Sequence, residues 1–407
     1  MSVAHALLRV VLVLGCVLPV FAAGEAHAET MTPYEALARG PYTILGNQVL
    51  DASGKPYLFH GITRSGPELD CTGKQSPYDR SHLALMGVPV PNVADIKDGR
   101  YWGGNTVRVP LSQNFWLKGD MKISTCTAAG YRAFVHRLVD DLTALGLNVI
   151  LNLHWSGAGG QVGGAGAEQQ MPDTDAVPFW EQVAQTYKDY SNVLFELYDE
   201  PGISYQQGSC WKFGCMIVGD EVRVHYCGCF KLFSYQAVGM QTLLETIRKT
   251  GARNLVIANG TNGGYSLKQL SMYALEGTNV LYSSHPSNNA SDKMPSFWTD
   301  HFGQFADRYP LLITAFGQYN CKADFVNMLF DYLDARQIGW IARAWFVSST
   351  SRSTICAYPQ LVTDYNGTPS HAMGESVYER LRDYHADALV RWKLAVSEMR
   401  SFKKSTR

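Results

Sequence analysis

The residues best suited to chemistry in this 407-residue chain lie in the segment Phe195-Glu-Leu-Tyr-Asp-Glu-Pro201. Glu200 stands at the end of a predicted strand, because Pro201 cannot donate a ladder hydrogen bond. With a side-chain period of two, Glu200 points to the same side as Glu196 and Tyr198. A carboxyl group among aromatic side chains has a raised pKa and can donate a proton near neutral pH. The pattern predicts a general acid at Glu200, and the alternative is a carboxylate on a surface loop.

Three other polar residues lie in or after short β-branched stretches. Arg108 occupies Asn105-Thr-Val-Arg-Val-Pro110, where a buried cation has to pair with a carboxylate from a neighbouring strand. His154 and His285 each follow another such stretch. The alternatives are a purely structural ion pair, satisfied core histidines, or a metal site that includes Glu200. No two-histidine helix motif or Cys/His cluster accompanies these residues, so we expect no metal and no cofactor.

Two tryptophans also close predicted strands. Trp155 directly follows His154, and Trp345 ends the stretch Gly339–Trp345. An indole ring at the mouth of a cleft can stack on the apolar face of a sugar. We expect both to bind substrate in this way, and burial in the core is the alternative.

These residues need a scaffold that brings many strand ends together. The chain alternates short β-branched strands with amphipathic helices, which favours a single α/β domain, a (β/α)8 TIM barrel with chemistry at the carboxyl ends of its strands. Predicted strand cores are Leu58–Ile62, Thr106–Pro110, Val149–Leu153, Val193–Leu197, Asn254–Ala258, Val280–Ser284, Leu311–Ala315 and Gly339–Trp345. Predicted helices are Ala128–Leu145, Val177–Tyr190, Tyr235–Thr250, Pro295–Arg308, Ala323–Arg336 and a last one near His371–Tyr384.

Two further features stand outside this alternation. Thr43–Leu50 and Lys55–Leu58, around Asp51–Gly54, predict an N-terminal hairpin that closes the barrel floor. Cys210–Cys229 is a long insertion after the fourth strand. The glycine-rich stretch 157–166 follows the third strand and lacks the dinucleotide fingerprint, so we interpret it as a rim loop.

The amino-terminal residues predict export. Met1–Ala28 has a charged start at Arg9, an apolar run and the small-residue site Ala26-His27-Ala28, as a cleavable signal peptide does. The apolar run is too short to span a bilayer, and an uncleaved anchor or a buried helix is the alternative. We therefore predict a secreted or periplasmic protein, with the barrel at 29–385 and a charged helical tail at 386–407.

Cysteine usage and charge agree with export. Of nine cysteines, one lies in the predicted signal, and eight remain to form disulfides. We expect Cys71 to pair with Cys126 and Cys321 with Cys356, and the last four to pair among themselves: Cys210, Cys215, Cys227 and Cys229. Zinc binding by those four is the alternative, although their spacing lacks paired knuckles. A net charge of −1 without a basic stripe gives no footprint for nucleic acid or for a membrane surface.

Taken together, these motifs resemble glycoside hydrolase family 5, the cellulase-type retaining barrel. The resemblance extends from His60-Gly61 to Asp364-Tyr-Asn-Gly-Thr-Pro369 and includes Arg-x-Pro, Asn-Leu-His-Trp and Phe-Glu-Leu-Tyr-x-Glu-Pro in the family's order. It implies an endo-acting β-glycanase ancestry, with cellulose, a related β-glucan or mannan as the partner. It also implies roles for residues: Glu200 as general acid/base, Trp345 as the floor of a subsite, and three supporting polar residues, Arg108, His154 and His285.

The chain departs from the family pattern at three positions. Asp199 replaces the asparagine before the acid, and Ser287 replaces a tyrosine. In Leu312-Ile-Thr-Ala-Phe-Gly317, Ala315 stands where the resemblance implies the nucleophilic glutamate. A retaining glycosidase needs two carboxyl groups about 5–5.5 Å apart, so the ordinary route should be closed.

Asp199 is the residue that could restore chemistry, as a shifted nucleophile or as a base for water entering beside Ala315. Like-charge repulsion from Glu200 should raise the pKa of at least one of the two carboxyls and make them titrate together. Two functions remain open: an endo-β-glycanase with altered chemistry, and a carbohydrate-binding pseudoenzyme that does not cut. An exported barrel that has lost sugar binding as well is a third reading, which the retained polar and aromatic residues disfavour.

Overall fold

The structure, a computed structural model, describes residues 37–73, 83–87, 100–119, 126–156, 169–224, 229–288, 293–347 and 358–386. Its strands are β1 (Thr43–Leu45), β2 (Gln48–Leu50), β3 (His60–Arg64), β4 (Thr106–Ser112), β5 (Asn148–Trp155), β6 (Val193–Glu196), β7 (Gly214–Val224), β8 (Cys229–Val238), β9 (Val256–Asn259), β10 (Val280–Ser283), β11 (Leu311–Ile313) and β12 (Gly339–Trp345). The described helices are α1 (Pro67–Cys71), α2 (Gln113–Leu117), α3 (Ala128–Ala144), α4 (Ala176–Tyr187), α5 (Gly208–Phe213), α6 (Met240–Lys249), α7 (Leu270–Tyr273), α8 (Pro295–His301), α9 (Asp324–Asp334) and α10 (Met373–Tyr384).

Eight of the strands close a parallel barrel, in the order β3, β4, β5, β6, β9, β10, β11, β12 and back to β3. Each of the eight predicted strand cores overlaps one of them, so the predicted (β/α)8 fold is confirmed. The strands are apolar on both faces because one face fills the barrel and the other packs under the helices. Helix α3 shows how the outer layer forms: Thr127 caps it by accepting a hydrogen bond from the Gly130 amide, and its buried face carries Tyr131, Val135, Leu138, Val139 and Leu142.

The fourth barrel strand is shorter than predicted. β6 ends at Glu196, and Leu197–Pro201 continues as irregular chain. Beyond the end of this strand the side chains no longer alternate between its two faces. Glu196 points into the barrel, whereas Tyr198 packs outward, where its hydroxyl donates to the Gln169 carbonyl at 2.6 Å. The prediction that Tyr198 points to the same side as Glu196 and Glu200 is therefore wrong, whereas those two carboxyl groups both lie beside His285.

The floor hairpin is present, with one turn more than the sequence predicted. β1 and β2 pair antiparallel around Gly46-Asn47, and Gly46 takes a positive φ of 63°. The predicted single strand Thr43–Leu50 is thus two strands, and the predicted turn at Asp51–Gly54 follows the second one, where Leu50 forms an antiparallel bridge with Pro56 and the Tyr57 amide donates to the Val49 carbonyl at 2.9 Å. Val49 packs with a layer of side chains inside the lower barrel, which closes that end.

The insertion after β6 folds as a short helix and a hairpin. Helix α5 leads into the antiparallel pair β7–β8, so the predicted helix Tyr235–Thr250 is wrong at its start, where Tyr235–Val238 is strand. The hairpin is hydrogen-bonded to the segment that follows β5, where Asp220 accepts from the Gln170 amide and from its side chain, each at 3.0 Å. The Gly202 amide donates to the Gln170 carbonyl at 2.8 Å. The insertion therefore lies beside the loop that carries Glu200.

Disulfides Cys71–Cys126 and Cys210–Cys215 are formed, and the first is the predicted pair. Cys321 is disulfide-bonded, and its expected partner Cys356 lies outside the described residues. Cys227 also lies outside them, as do the predicted signal peptide 1–28 and nearly all of the predicted tail 386–407. Within the described ranges, no helix combines the length and the apolar character that a membrane span requires.

Candidate active site at the carboxyl end of the barrel

A buried ion pair organises the upper barrel. Arg108 on β4 donates from Nε to Oε2 of Glu196 at 2.6 Å and from Nη2 to Oε1 at 3.1 Å. Nη2 also donates to Oδ1 of Asp199. Arg108 is 1% exposed, and a cation buried so deeply requires such partners. Arg108 thus pairs with two carboxylates, but neither is on a neighbouring strand as predicted: Glu196 is on β6, two strands from β4, and Asp199 lies in the chain after β6.

Asp199 is held from both sides. Its Oδ1 faces Arg108, and its Oδ2 lies 2.8 Å from Nδ1 of His154 at the end of β5. Burial alone would raise the pKa of the Asp199 carboxyl, but His154 and Arg108 hold it well below its usual range. The expectation that repulsion from Glu200 would raise the pKa is therefore wrong for Asp199, because the interactions with His154 and Arg108 lower it.

Thr314 and Asn259 complete the network, and the sequence had not singled out either. The Thr314 hydroxyl donates to Oε1 of Glu196 at 2.6 Å and lies 2.8 Å from Nε2 of His285. Asn259 donates to the same Oε1 at 2.7 Å. Burial would raise the pKa of Glu196, yet the Arg108 charge and the hydrogen bonds of His285 and Arg108 lower it. Both residues lie at strand ends, which is the sequence signal that could have indicated them.

Glu200 lies above this network and is reached by solvent. Its side chain is 28% exposed, and its Oε1 is 3.4 Å from Nδ1 of His285 and 3.7 Å from Nη1 of Arg343. Burial lowers the pKa of His285, but hydrogen bonds to Glu196 and Glu200 raise it to about 9. The imidazolium therefore links the buried carboxylate Glu196, through Thr314, to the exposed carboxyl group of Glu200.

The network does not suit a metal ion. Glu196, Asp199 and His285 offer ligand atoms within 4.8 Å of one another. Arg108 already bonds to both carboxylates, however, and its positive charge would repel a second cation in the same place. Among the described residues this is the cluster that comes nearest to a metal site, and its chemistry is that of an ion-pair network.

Comparison with known proteins decides the family. The family model for cellulase, glycosyl hydrolase family 5, matches residues 64–349, which is more than half of the chain. This chain belongs to glycosyl hydrolase family 5.

Two curated relatives match over part of the chain. An endoglucanase from Paenibacillus polymyxa is 25% identical over 201 residues, which are 46% of this chain and 48% of that protein. The cellulase/esterase CelE from Acetivibrio thermocellus is 26% identical over 170 residues, which are 39% of this chain and 20% of that protein. The chain thus matches about half or less of the length of these relatives.

Solved structures share the fold. The β-glucanase SdGluc5_26A from Saccharophagus degradans, in complex with cellotetraose, superimposes with a TM-score of 0.60 at 16% identity, covering 84% of this chain and 93% of that one. The catalytic domain of Thermobifida fusca endoglucanase Cel5A gives a TM-score of 0.57 at 16% identity, covering 86% and 99%.

In this family 5 barrel, position 315 provides no carboxylate. Ala315 follows β11 and is 4% exposed. The backbone continues through Phe316 to Gly317, which forms a parallel bridge with Ser287. The two departures from the family pattern in this region, Ala315 and Ser287, therefore lie near His285, on adjoining strand ends at the mouth of the barrel.

The two predicted sugar-stacking tryptophans are placed differently. Trp155 is partly exposed and stands edge-on to His154, with ring centroids 4.4 Å apart. Trp345 is 3% exposed and packs edge-on against Trp102, with centroids 5.3 Å apart. A register shift between Ala342 and Trp345 turns the end of β12. Trp345 therefore lies in the outer core and presents no ring face to the cleft, contrary to the expectation.

Proposed function

We propose that this protein acts on β-linked glucan as an endoglucanase-like family 5 glycosidase, with Glu200 as the proton donor. The observation that carries the proposal is the position of Glu200: a solvent-reached carboxyl group beside the charged His285, at the carboxyl end of a family 5 barrel. His154, Arg108 and Trp155 support it as the polar wall and the aromatic edge of the same cleft. Cellulose-like or mixed-linkage β-glucan is the substrate class we favour, and mannan is a further substrate to test.

Glu200 can protonate the leaving oxygen of a glycosidic bond, but the second half of the reaction has to differ from the family's usual route. A retaining enzyme attacks the anomeric carbon with a carboxylate, and the Ala315 side chain has no nucleophilic atom. Water then has to attack in the space above Ala315. Asp199, which directly precedes Glu200 in the chain, is the carboxylate that can accept the proton of this water. Attack by water from that side inverts the anomeric centre.

Asp199 is a poor base in this arrangement. One of its oxygens faces the Arg108 guanidinium and the other lies beside His154, and its low pKa reduces its affinity for a proton. We therefore propose slow hydrolysis, several orders of magnitude below that of an enzyme with its nucleophile in place.

The contacts of Asp199 with Arg108 and His154 also favour a second candidate function, a glycan-binding protein that does not cleave its ligand. If Asp199 serves only to hold Arg108 and His154 in place, the cleft keeps its binding groups and lacks a base. The two functions share the bound ligand and differ in turnover.

We also propose that the protein works outside the cytoplasm. The disulfides Cys71–Cys126 and Cys210–Cys215 are typical of an oxidising compartment, and the sequence of Met1–Ala28 has the features of a signal peptide. N-terminal sequencing of the exported protein tests this, with cleavage after Ala28 as the expected result.

The deciding experiment compares the natural protein with Ala315→Glu, Ala315→Gly and Glu200→Gln. Cellotetraose binding is measured by calorimetry, and reducing-end release is measured on mixed-linkage β-glucan and cellulose. We expect all four proteins to bind and Ala315→Glu to gain at least about 100-fold in turnover, since it restores the second carboxylate. Ala315→Gly is the matched control, because it changes the same position without adding a carboxylate.

Slow turnover by the natural protein that is lost in Glu200→Gln establishes the glycosidase. Turnover only in Ala315→Glu establishes the glycan-binding protein instead. If neither the natural protein nor Ala315→Glu binds or cleaves any of these glucans or mannan, both functions are rejected.

A further inference from the structure

We infer that Thr314 is a positioning residue for the acid: its hydroxyl fixes a proton on Nε2 of His285, so that the opposite ring atom, Nδ1, meets Glu200. Thr314 acts through the imidazole ring of His285. The inference deepens the proposed function, because it rests on Glu200 as the proton donor.

The Thr314 hydroxyl lies among three buried polar groups. Its oxygen is 2.6 Å from Oε1 of Glu196, 2.6 Å from Oγ of Ser283 and 2.8 Å from Nε2 of His285. Thr314 and Ser283 are both 0% exposed, so water does not complete these bonds. A hydroxyl has one hydrogen to donate and two lone pairs that accept, and the three contacts therefore cannot all have the same direction.

The single hydrogen of Thr314 goes to Glu196. Burial would raise the pKa of Glu196, but above all the Arg108 charge lowers it to about 2, so this side chain is a carboxylate at neutral pH and can only accept. Oδ1 of Asn259 is another acceptor, but it lies 3.4 Å from the Thr314 hydroxyl. The shorter bond to an ionised acceptor is the stronger one.

The two lone pairs of Thr314 then receive hydrogens from Ser283 and His285. Ser283 is oriented for this, because its own oxygen accepts from the Thr314 amide at 3.1 Å, which leaves its hydrogen for the Thr314 hydroxyl. Nε2 of His285 has to carry a hydrogen as well. A proton on Nε2 follows, whether the ring is charged or neutral.

The ring is also held from the side of Gly264. The His285 amide donates to the Gly264 carbonyl at 3.1 Å. Gly264 has a φ of 78°, and a Cβ at this position would lie 3.0 Å from Nδ1 of His285. The bare backbone of Gly264 therefore packs against this edge of the ring and leaves Nδ1 at 3.4 Å from Oε1 of Glu200.

The charges around the ring favour its protonated form. Burial lowers the pKa of His285, but its interactions with Glu196 and Glu200 raise it to about 9. Three further charged groups face the ring or Glu200: Asp199, Arg108 and Arg343. At pH 7 Nδ1 therefore carries a proton too, and this proton points to Oε1 of Glu200. The proton that Glu200 donates to a sugar then has to be on its other oxygen, Oε2.

Thr314 is the shortest route by which the buried Glu196 acts on this ring. The direct distance from Nε2 of His285 to Oε1 of Glu196 is 3.7 Å, against 2.8 Å and 2.6 Å for the two steps through the hydroxyl. Without the hydroxyl, Nε2 loses its nearest acceptor in a buried site, which disfavours the imidazolium. A neutral ring presents a lone pair at Nδ1, and this lone pair draws the proton of Glu200 away from the sugar.

The test follows the His285 ring by nuclear magnetic resonance in protein labelled with 15N-histidine, from about pH 6 to about pH 10.5, across the His285 pKa of about 9. The spectrum of His285→Gln identifies the signals. In the natural protein we expect the neutral ring to keep its hydrogen on Nε2. In Thr314→Val the pKa of His285 should fall by at least about one pH unit, because the ring loses a charge-assisted hydrogen bond.

Thr314→Ser is the conservative variant, because it keeps the hydroxyl, and it should restore the pKa of His285. Thr246→Val is the matched control. It also removes a buried threonine hydroxyl, but this one lies on α6 and donates to the Thr242 carbonyl at 2.8 Å, so the His285 signals should not move.

Turnover is measured in Ala315→Glu, where we expect the second carboxylate to restore it. Adding Thr314→Val to this protein should lower kcat at least about 10-fold and change KM less than about 2-fold, because the acid is disturbed and sugar binding is not. Adding Thr314→Ser should leave both near the values of Ala315→Glu.

Four results would overturn the inference. A neutral His285 with its hydrogen on Nδ1 would contradict it in the natural protein, without any variant. An unchanged pKa in Thr314→Val would show that Glu196 acts on the ring directly. A fall that Thr314→Ser does not restore would show that packing is responsible. A lower pKa of His285 without a lower kcat would show that the ring does not position the acid.

The proposed function is decided separately. If Ala315→Glu neither binds nor cleaves a glucan, the proposed function fails. The titration of His285 needs no glycan, so it still decides whether Thr314 fixes the proton on Nε2.

Discussion

Asp199 shows how a single residue can look catalytic in the sequence and take a structural part in the fold. Its place before Glu200 suggested a substitute base, but its two carboxylate oxygens are held by Arg108 and His154 at the end of the barrel. The carboxylate neutralises Arg108 and positions His154, and these interactions lower its pKa. At this scale, the neighbours of a carboxylate decide whether it can do chemistry.

Asp199→Asn should therefore destabilise the fold. The amide removes one of the two charges that balance the buried Arg108, and breaking a buried pair costs about 3–5 kcal/mol in the free energy of unfolding. Urea denaturation at pH 7 measures this loss. Asp331→Asn is the control, since Asp331 is 76% exposed in its pair with Arg380, and it should cost less than about 1 kcal/mol. Equal losses in the two variants would contradict this account of Asp199.

Glu68 on α1 is another buried carboxyl group, which no sequence pattern had indicated. It is 3% exposed, Trp155 donates a hydrogen bond to it, and burial raises its pKa to about 7. A group whose folded-state pKa is raised contributes stability at pH values below its ordinary pKa, and this contribution is lost as the pH rises to about 7.

We expect Glu68→Gln to gain stability relative to the natural protein as the pH rises from 5 to 8, because glutamine pays no cost of ionisation in the buried site. The gain should be on the order of 2–3 kcal/mol. Parallel urea titrations across this pH range measure it. Asp383→Asn, a change at an exposed carboxylate, serves as the control, and a pH-independent difference for Glu68→Gln would refute the expectation.

At the scale of elements, helix α10 closes the barrel by packing against the base of β3 and β12. The His60 ring stacks on Tyr384, with centroids 4.1 Å apart, and the Trp340 ring contacts both, at 5.5 Å from His60 and 5.9 Å from Tyr384. Burial lowers the pKa of His60 to about 3 and that of the nearby His385 to about 4. Asp334 and Arg380 are the charged groups around Tyr384 in this contact, with Arg39 near His385.

Acid should loosen this contact. The two histidines take up protons near pH 6.5 in the unfolded chain but only near pH 3–4 in the folded one, so stability is lost as the pH falls below about 6.5. His60→Phe keeps the stacking and cannot titrate, and it should lose less stability between pH 7 and 4.5 than the natural protein. His136→Gln, at a half-exposed position, should follow the natural protein. The same slope in all three proteins would rule out this role.

At the scale of the whole molecule, the disulfides Cys71–Cys126 and Cys210–Cys215 cross-link loops at the carboxyl end of the barrel. Cys71–Cys126 joins residues 55 positions apart, and Cys210–Cys215 joins residues 5 apart. The longer loop restricts the unfolded chain more strongly, by about 4 kcal/mol against about 2 kcal/mol on a chain-entropy estimate.

Replacing both cysteines of each pair by serine should therefore lower the melting temperature more for Cys71–Cys126 than for Cys210–Cys215. Calorimetric melting of the two double variants, each with the other bridge intact, measures the difference. The reverse order would show that the shorter bridge stabilises the insertion through the folded state.

The alternation of strands and helices was sufficient to predict the barrel, because the apolar period of each strand and helix is a local property of the chain. The insertion and the floor hairpin were only partly predictable. Their turns depend on single glycines with positive φ, such as Gly46 and Gly214. The sequence pattern alone does not decide which loop residues form the turn and which belong to the strands. Trp345 was misplaced because a register shift in β12 redirects its side chain.

The sequence by itself determined the barrel, because strand and helix periods follow from residue type and order along the chain, and the family resemblance of its motifs led to the proposal that Glu200 is the general acid and that Ala315 stands in place of a carboxylate. Only the tertiary structure decided how the charges are shared, because that depends on distances between strands far apart in sequence. It bound Asp199 between Arg108 and His154, buried Trp345, and set Arg343 beside Glu200. The residue that seemed able to rescue catalysis is thus engaged in the scaffold, and an arginine that the sequence did not single out lies beside the acid.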